Sequence, residues 1–168
     1  NVANSLMDGC AKAGMTFVNC TPAELHPEAR FVNRAGTAAA RTGGRIEIER
    51  DPRLAVKGAH VVYTDVWVSM GEEAKFDERL QLLRPYQVNM DLMERTGNLA
   101  RDNVIFLHCL PAFHDSDTEV TRKIGAMEVT DDVFEAPFSL VFDLAENRMH
   151  TIKAMLVATM TGEDLPCR

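Results

Sequence analysis

Several common protein types are ruled out by what this sequence does not contain. Its four cysteines, Cys10, Cys20, Cys109 and Cys167, form no CxxC pair and no small-scaffold spacing. That pattern fits the reduced thiols of a cytoplasmic protein rather than a disulfide frame. Positive charge is also short. Eighteen basic residues stand against twenty-five acidic ones, a formal net charge of −7, and no basic run offsets the balance. Nucleic acid and anionic membrane are therefore poor candidates for the main partner. No apolar stretch approaches the roughly 18–20 residues that would cross a bilayer. Internal repeats, low-complexity tracts and linkers are absent. Gly43-Gly44 is followed by neither Lys-Ser nor Lys-Thr, so it reads as a loop and not a phosphate cradle.

What remains is a chain of 168 residues, 46% hydrophobic, enough for one domain with a real core. Apolar and small residues recur at helical spacing over 3–13, with Asn1 or Asn4 as cap and Gly14 as stop. MTFVNC (15–20) reads as a short buried strand, and Thr21-Pro22 opens a loop with a helical turn at 23–25. A helix starting at Pro27 runs to Gly43-Gly44, and the alternating RIEIER (45–50) is a second strand. Asp51-Pro52 caps a short helix. Strand HVVYTD (60–65), helices near 74–83 and 89–96, and strand NVIFLH (103–108) follow. Beyond lie the polar segment SDTEVTRKIG (116–125), a short capped helix at TDDVFE (130–135) and an amphipathic helix over 144–160. Strict helix–strand alternation predicts an α/β fold: a doubly wound, Rossmann-like parallel sheet with helices on both faces.

Two polar loops follow apolar strands, DVWVSMGEE (65–73) and HCLPAFHD (108–115). Loops at the carboxyl ends of neighbouring parallel strands are where such sheets bind ligands. Both strings resemble those of the ornithine carbamoyltransferases, within the aspartate/ornithine carbamoyltransferase superfamily. The likeness extends to NVANSLMDGCAKAGM at the start and VFDLAENRMHTIKAMLVATM near the end, so it covers nearly the whole chain. It implies transfer of a carbamoyl group from carbamoyl phosphate to the δ-amine of L-ornithine, giving L-citrulline and phosphate in arginine metabolism. The family's Ser-Thr-Arg-Thr phosphate loop does not occur, since none of Ser5, Ser69, Ser116 and Ser139 precedes Thr-Arg. By resemblance, residues 1–168 are then the ornithine-binding domain, without its first strand, and the carbamoyl-phosphate-binding domain is not in this chain. A sheet without a central strand exposes unpaired backbone on both sides of the gap. The family implies a homotrimer in the complete enzyme and no cofactor.

The chemistry requires a neutral amine, groups that orient the amino acid's charged ends, and donors for the oxyanion and the leaving phosphate. By resemblance Asp65 pairs with the α-ammonium, Ser69 and Met70 meet the amino-acid head, with Gly71 allowing tight passage, and Asn1 holds the α-carboxylate. Cys109 is the apparent proton acceptor near the δ-amine, and it and the Leu110 carbonyl face the carbamoyl group. His108 orients the carbamoyl oxygen, Pro111 stiffens the turn and is a candidate for a cis bond, and Arg148 lies on carbamoyl phosphate. A guanidinium fork suits phosphate oxygens.

Each of these residues also has a plainer reading. Asp65 could be a helix cap or ion-pair partner, Cys109 a small buried hydrophobe, and Arg148 a partner of Glu146 or Asp143. His108, Cys109 and His114 could suggest zinc, but no second ligand pair appears. His26, His60 and His150 read as ordinary residues, and Met127, Met149, Met155 and Met160 as core filler. Two rival functions remain: a sister transcarbamylase using an amine such as putrescine, and a non-catalytic amino-acid-binding or interaction module. The segment between Asp115 and Met127 is shorter than is usual in the family, and the tail TGEDLPCR matches nothing.

Overall fold

The computed structural model describes residues 1–68 and 71–161. Ser69, Met70, Cys167 and the tail beyond Thr161 lie outside the described residues. Helix α1 (Val2–Lys12) begins where the Asn1 side chain accepts Val2 N–H and ends with Lys12 in its last turn, where a cation suits the helix dipole. Strand β1 (Thr16–Cys20) and helix α2 (Ala29–Thr42) follow, with a 3-10 turn at Ala23–Leu25 between them. Helix α2 stops at Gly43, whose φ of 83° is left-handed, and strand β2 (Arg45–Glu49) pairs parallel with β1 from Thr16↔Arg45 to Cys20↔Glu49.

Small residues let α1 and α2 approach closely. Met7 and Ala11 on one meet Ala35 and Ala39 on the other, and Thr42 Oγ1 donates to the Ala11 carbonyl at 2.6 Å. Gly14 and Gly44 allow the strands to start beside this pair. A Cβ at Gly14 would lie 2.9 Å from the Thr42 carbonyl oxygen, and one at Gly44 would lie 2.8 Å from that of Met15.

Helix α3 (Pro52–Ala55) starts at Asp51, whose side chain accepts Arg53 N–H at 2.9 Å. Strand β3 (Val61–Thr64), helices α4 (Phe76–Leu83) and α5 (Met90–Glu94), and strand β4 (Ile105–His108) complete a second parallel pair, in register from Val61↔Ile105 to Thr64↔His108. The far side of β4 pairs with residues 138–140: Phe106 N–H donates to the Phe138 carbonyl, and Leu140 N–H to the Phe106 carbonyl, both at 3.0 Å. Phe106 is fully buried, in a core with Val62, Leu92, Met93, Val129 and Val133. The chain closes with α6 (Glu119–Ile124), α7 (Asp131–Phe134) and α8 (Val141–Thr161).

The parallel pairing and Rossmann-like layering match the sequence expectation. The sheet, however, is in two pieces: among the described residues β1 pairs only with β2, and no ladder joins β1 to β3. Three sequence expectations need correction. The segment at 116–125 contains α6, begun by a capping box in which Thr118 and Thr121 exchange bonds. Pro27 precedes α2 rather than starting it, because the helix begins at Ala29. Of the methionines expected in the core, Met127 is buried, but Met149, Met155 and Met160 are 60%, 62% and 81% exposed. They project from α8, along which Ile152, Leu156 and Val157 are exposed too. Among the described residues no helix is long and apolar enough to cross a membrane.

Candidate active site at the ends of the second strand pair

Parallel pairing of Thr64 with His108 places the next residue of each strand side by side. These are Asp65 and Cys109. Cys109 Sγ donates to Asp65 Oδ1 at 2.9 Å, and the same oxygen accepts Val66 N–H at 2.8 Å. Asp65 is therefore neither a helix cap nor a partner in an ion pair among the described residues. Burial, the hydrogen bond to Asp65 and the charge of Asp65 push the Cys109 thiol up to about 11. Near neutral pH, Cys109 thus keeps its proton and donates it in the hydrogen bond to Asp65.

Alternation along β3 turns Tyr63 to the same side as Asp65, a residue that sequence reasoning passed over. Its phenol is pushed up to about 12, first by burial, then by Cys109 and Asp65. The positive charge of Arg148 on α8 acts on Tyr63 in the opposite sense. Arg148 is exposed and, among the described residues, pairs with neither Asp143 nor Glu146; Glu146 instead faces His150 at 3.4 Å.

The loop after β4 is tightly constrained. Leu110 has a φ of 53° and precedes a cis peptide to Pro111. A non-glycine residue in the left-handed region costs on the order of 1–3 kcal/mol and persists where its surroundings fix it. Leu110 N–H donates to His108 Nδ1 at 2.8 Å, and the His108 side chain is fully buried beside Glu128. One ring nitrogen of His108 is thus taken up by the turn itself and the other faces Glu128. Glu128 was also passed over, because nothing in MEVT signals that a lone glutamate between hydrophobic residues faces the core. Asn1 caps α1 at an exposed position, and Gly71, with a φ of 87°, follows the undescribed Ser69 and Met70.

Metal-ligand atoms converge elsewhere. Those of His114, Asp131 and Glu135 lie within 4.8 Å of one another, with both carboxylates exposed. His114 there stacks on Phe134 at 3.7 Å and bonds Asp131 at 2.8 Å. His108 and Cys109 do not belong to this group.

Comparison with known proteins agrees with this architecture. The family model described as aspartate/ornithine carbamoyltransferase, Asp/Orn binding domain, matches residues 1–159. The catabolic ornithine carbamoyltransferase of Bacillus licheniformis is 57% identical over 170 residues, covering 98% of this chain and 50% of that protein. An ornithine carbamoyltransferase of Streptococcus pyogenes is 54% identical, covering 99% and 50%. Among solved structures, the ornithine carbamoyltransferase of Pyrococcus furiosus superposes with a TM-score of 0.82 at 43% identity, covering 98% of this chain and 48% of that one. The chain thus spans about half the length of the curated relatives it matches. On these grounds the chain belongs to the aspartate/ornithine carbamoyltransferase family.

Proposed function

We propose that this chain is the ornithine-binding half of an ornithine carbamoyltransferase. The observation that carries the reading is the pairing of Asp65 with Cys109 at the carboxyl ends of β3 and β4. In the reaction, the neutral δ-amine of ornithine attacks the carbonyl carbon of carbamoyl phosphate. A C–N bond forms, the C–O bond to phosphate breaks, and the nitrogen loses a proton.

Asp65 receives the α-ammonium, while Asn1, Ser69 and Met70 serve the amino-acid head. Binding a cation at Asp65 offsets one of the influences that hold the Cys109 thiol up, so substrate binding itself moves Cys109 toward the thiolate, the form able to take a proton from the amine. The Leu110 carbonyl and Cys109 meet the transferring group, and Arg148 takes an oxygen of carbamoyl phosphate. The complete enzyme would be a cytoplasmic homotrimer working without metal or cofactor. A carbamoyl-phosphate domain would supply the phosphate grip; the exposed apolar face of α8 and the break between β1 and β3 support a larger assembly around this chain.

The test is citrulline formation from carbamoyl phosphate and ornithine, by the chain alone and after adding a separately made carbamoyl-phosphate domain. Activity only with the added domain is expected, with ornithine preferred over putrescine. Preference for putrescine would favour the sister enzyme. Ornithine binding without turnover in either preparation would favour the non-catalytic module.

A further inference from the structure

The loop after β4 is braced from inside by a residue to which the mechanism above assigns nothing. Glu128 lies between α6 and α7 with its side chain fully buried, and its Oε1 accepts Phe113 N–H at 2.8 Å. The same oxygen stands 3.3 Å from His108 Nε2. That approach is too poorly aligned to make a full hydrogen bond, and among the described residues Nε2 has no other partner. His108 Nδ1 accepts Leu110 N–H, which leaves the ring's own proton on Nε2, the nitrogen that faces Glu128. Phe113, Glu128, His108 and Leu110 thus form one chain of contacts around the turn that contains the left-handed Leu110.

A buried carboxylate beside Val129 and Val133 weakens a core unless its contacts repay the desolvation. Replacing it by an apolar residue would be simpler if stability were its only purpose. We propose that Glu128 is a positioning residue for carbamoyl transfer. Together with the Leu110 N–H it fixes the His108 tautomer and, through His108 and Phe113, the backbone of Cys109 and Leu110. His108 by the same geometry acts as a positioning residue rather than as a substrate contact. Long contacts of this kind tighten once a substrate complex forms.

The kinetic arm of the test rests on the carbamoyl-transfer reading; the spectroscopic arm does not. In nitrogen-15 spectra of the histidine-labelled chain, His108 should carry its proton on Nε2, and Glu128→Ala should bring the ring into tautomer exchange. In the chain combined with the carbamoyl-phosphate domain, Glu128→Ala should lower kcat about 100-fold, the order expected for misplacing reacting groups by about 1 Å, with the KM for ornithine within about threefold. Glu128→Gln, which keeps an acceptor for Phe113, should recover most of the loss. A wild-type His108 protonated at Nδ1, or a folded Glu128→Ala with wild-type kcat, would overturn the proposal. If Glu128→Ala does not fold, Glu128→Asp, one methylene shorter and unable to reach both partners, carries the same expectations. If the wild type makes no citrulline, the functional reading fails and the ring spectra still decide whether Glu128 sets the tautomer.

Discussion

The hydrogen bond from Cys109 to Asp65 makes the chemistry of each depend on the other. With its thiol held up to about 11, Cys109 should be alkylated slowly by iodoacetamide near pH 8, and the rate should climb about tenfold per pH unit toward pH 10. Asp65→Asn removes the charge, so its Cys109 should react several-fold faster at pH 8, as read by peptide mapping. The same variant should weaken ornithine binding by at least about tenfold, roughly 1.4 kcal/mol, in calorimetry of the combined halves. Equal alkylation rates in both proteins would show that Asp65 does not hold the thiol. At this scale the sequence was informative where a residue stood in a distinctive string, as Asp65 and Cys109 do. Tyr63 was missed although the alternation in HVVYTD places it on the side of Asp65. Glu128 carried no sequence signal, because its significance lies in one hydrogen bond from Phe113 and a contact with His108, both outside its own segment.

At the scale of elements, α8 separates what periodicity can say from what it cannot. The helix itself was legible, within a few residues at its start. Its apolar stripe was read as core-facing, because a pattern identifies which residues are apolar and not what covers them. Phe142, Met149, Met155 and Met160 are instead exposed. Exposed apolar area of this kind favours association. Met149→Lys combined with Met155→Lys should therefore reduce self-association of the isolated chain in sedimentation velocity and leave its helical content unchanged. Unaltered sedimentation would mean that the face is not what brings copies together. Helix α6 was missed for a different reason: its capping box uses Thr121 where a Glu or Gln is the usual sign.

Across the whole molecule, the two strand pairs rest on separate cores. Met7, Ala11, Ala35 and Ala39 form the smaller, while the larger gathers around Phe106. Fewer buried large side chains should give the first unit lower local stability. Amides of Thr16–Cys20 and Arg45–Glu49 should exchange with solvent sooner than those of Ile105–His108, and uniform protection would contradict this. Alkaline pH gives a second global test. Cys20 and Tyr63 are each pushed up to about 12 and Cys109 to about 11, in every case first by burial. Unfolding would release each proton at the lower ordinary value, so the stabilisation is complete below about pH 9 and is lost as pH rises toward these folded values. The melting temperature should accordingly fall from about pH 9 upward, and a flat profile to pH 11 would count against burial as the cause. The α/β class and the succession of elements along the chain were legible because hydrophobic runs alternate so regularly with helical segments. A gap in the sheet was expected only through the family likeness, and its place between β1 and β3 not at all, since strand adjacency is a long-range property that no local pattern encodes.

The register of β3 with β4 has a consequence for how this sequence can change. Asp65 and Cys109 are neighbours only because each stands one step past the paired Thr64 and His108. The connection between the strands can lengthen or shorten while the two residues stay together. One amino acid gained or lost inside either strand would part them and turn the displaced residue to the opposite face of the sheet. Insertions should thus accumulate in the surface turns between these strands, while the few letters before Asp65 and Cys109 keep a fixed count, much as a reading frame does.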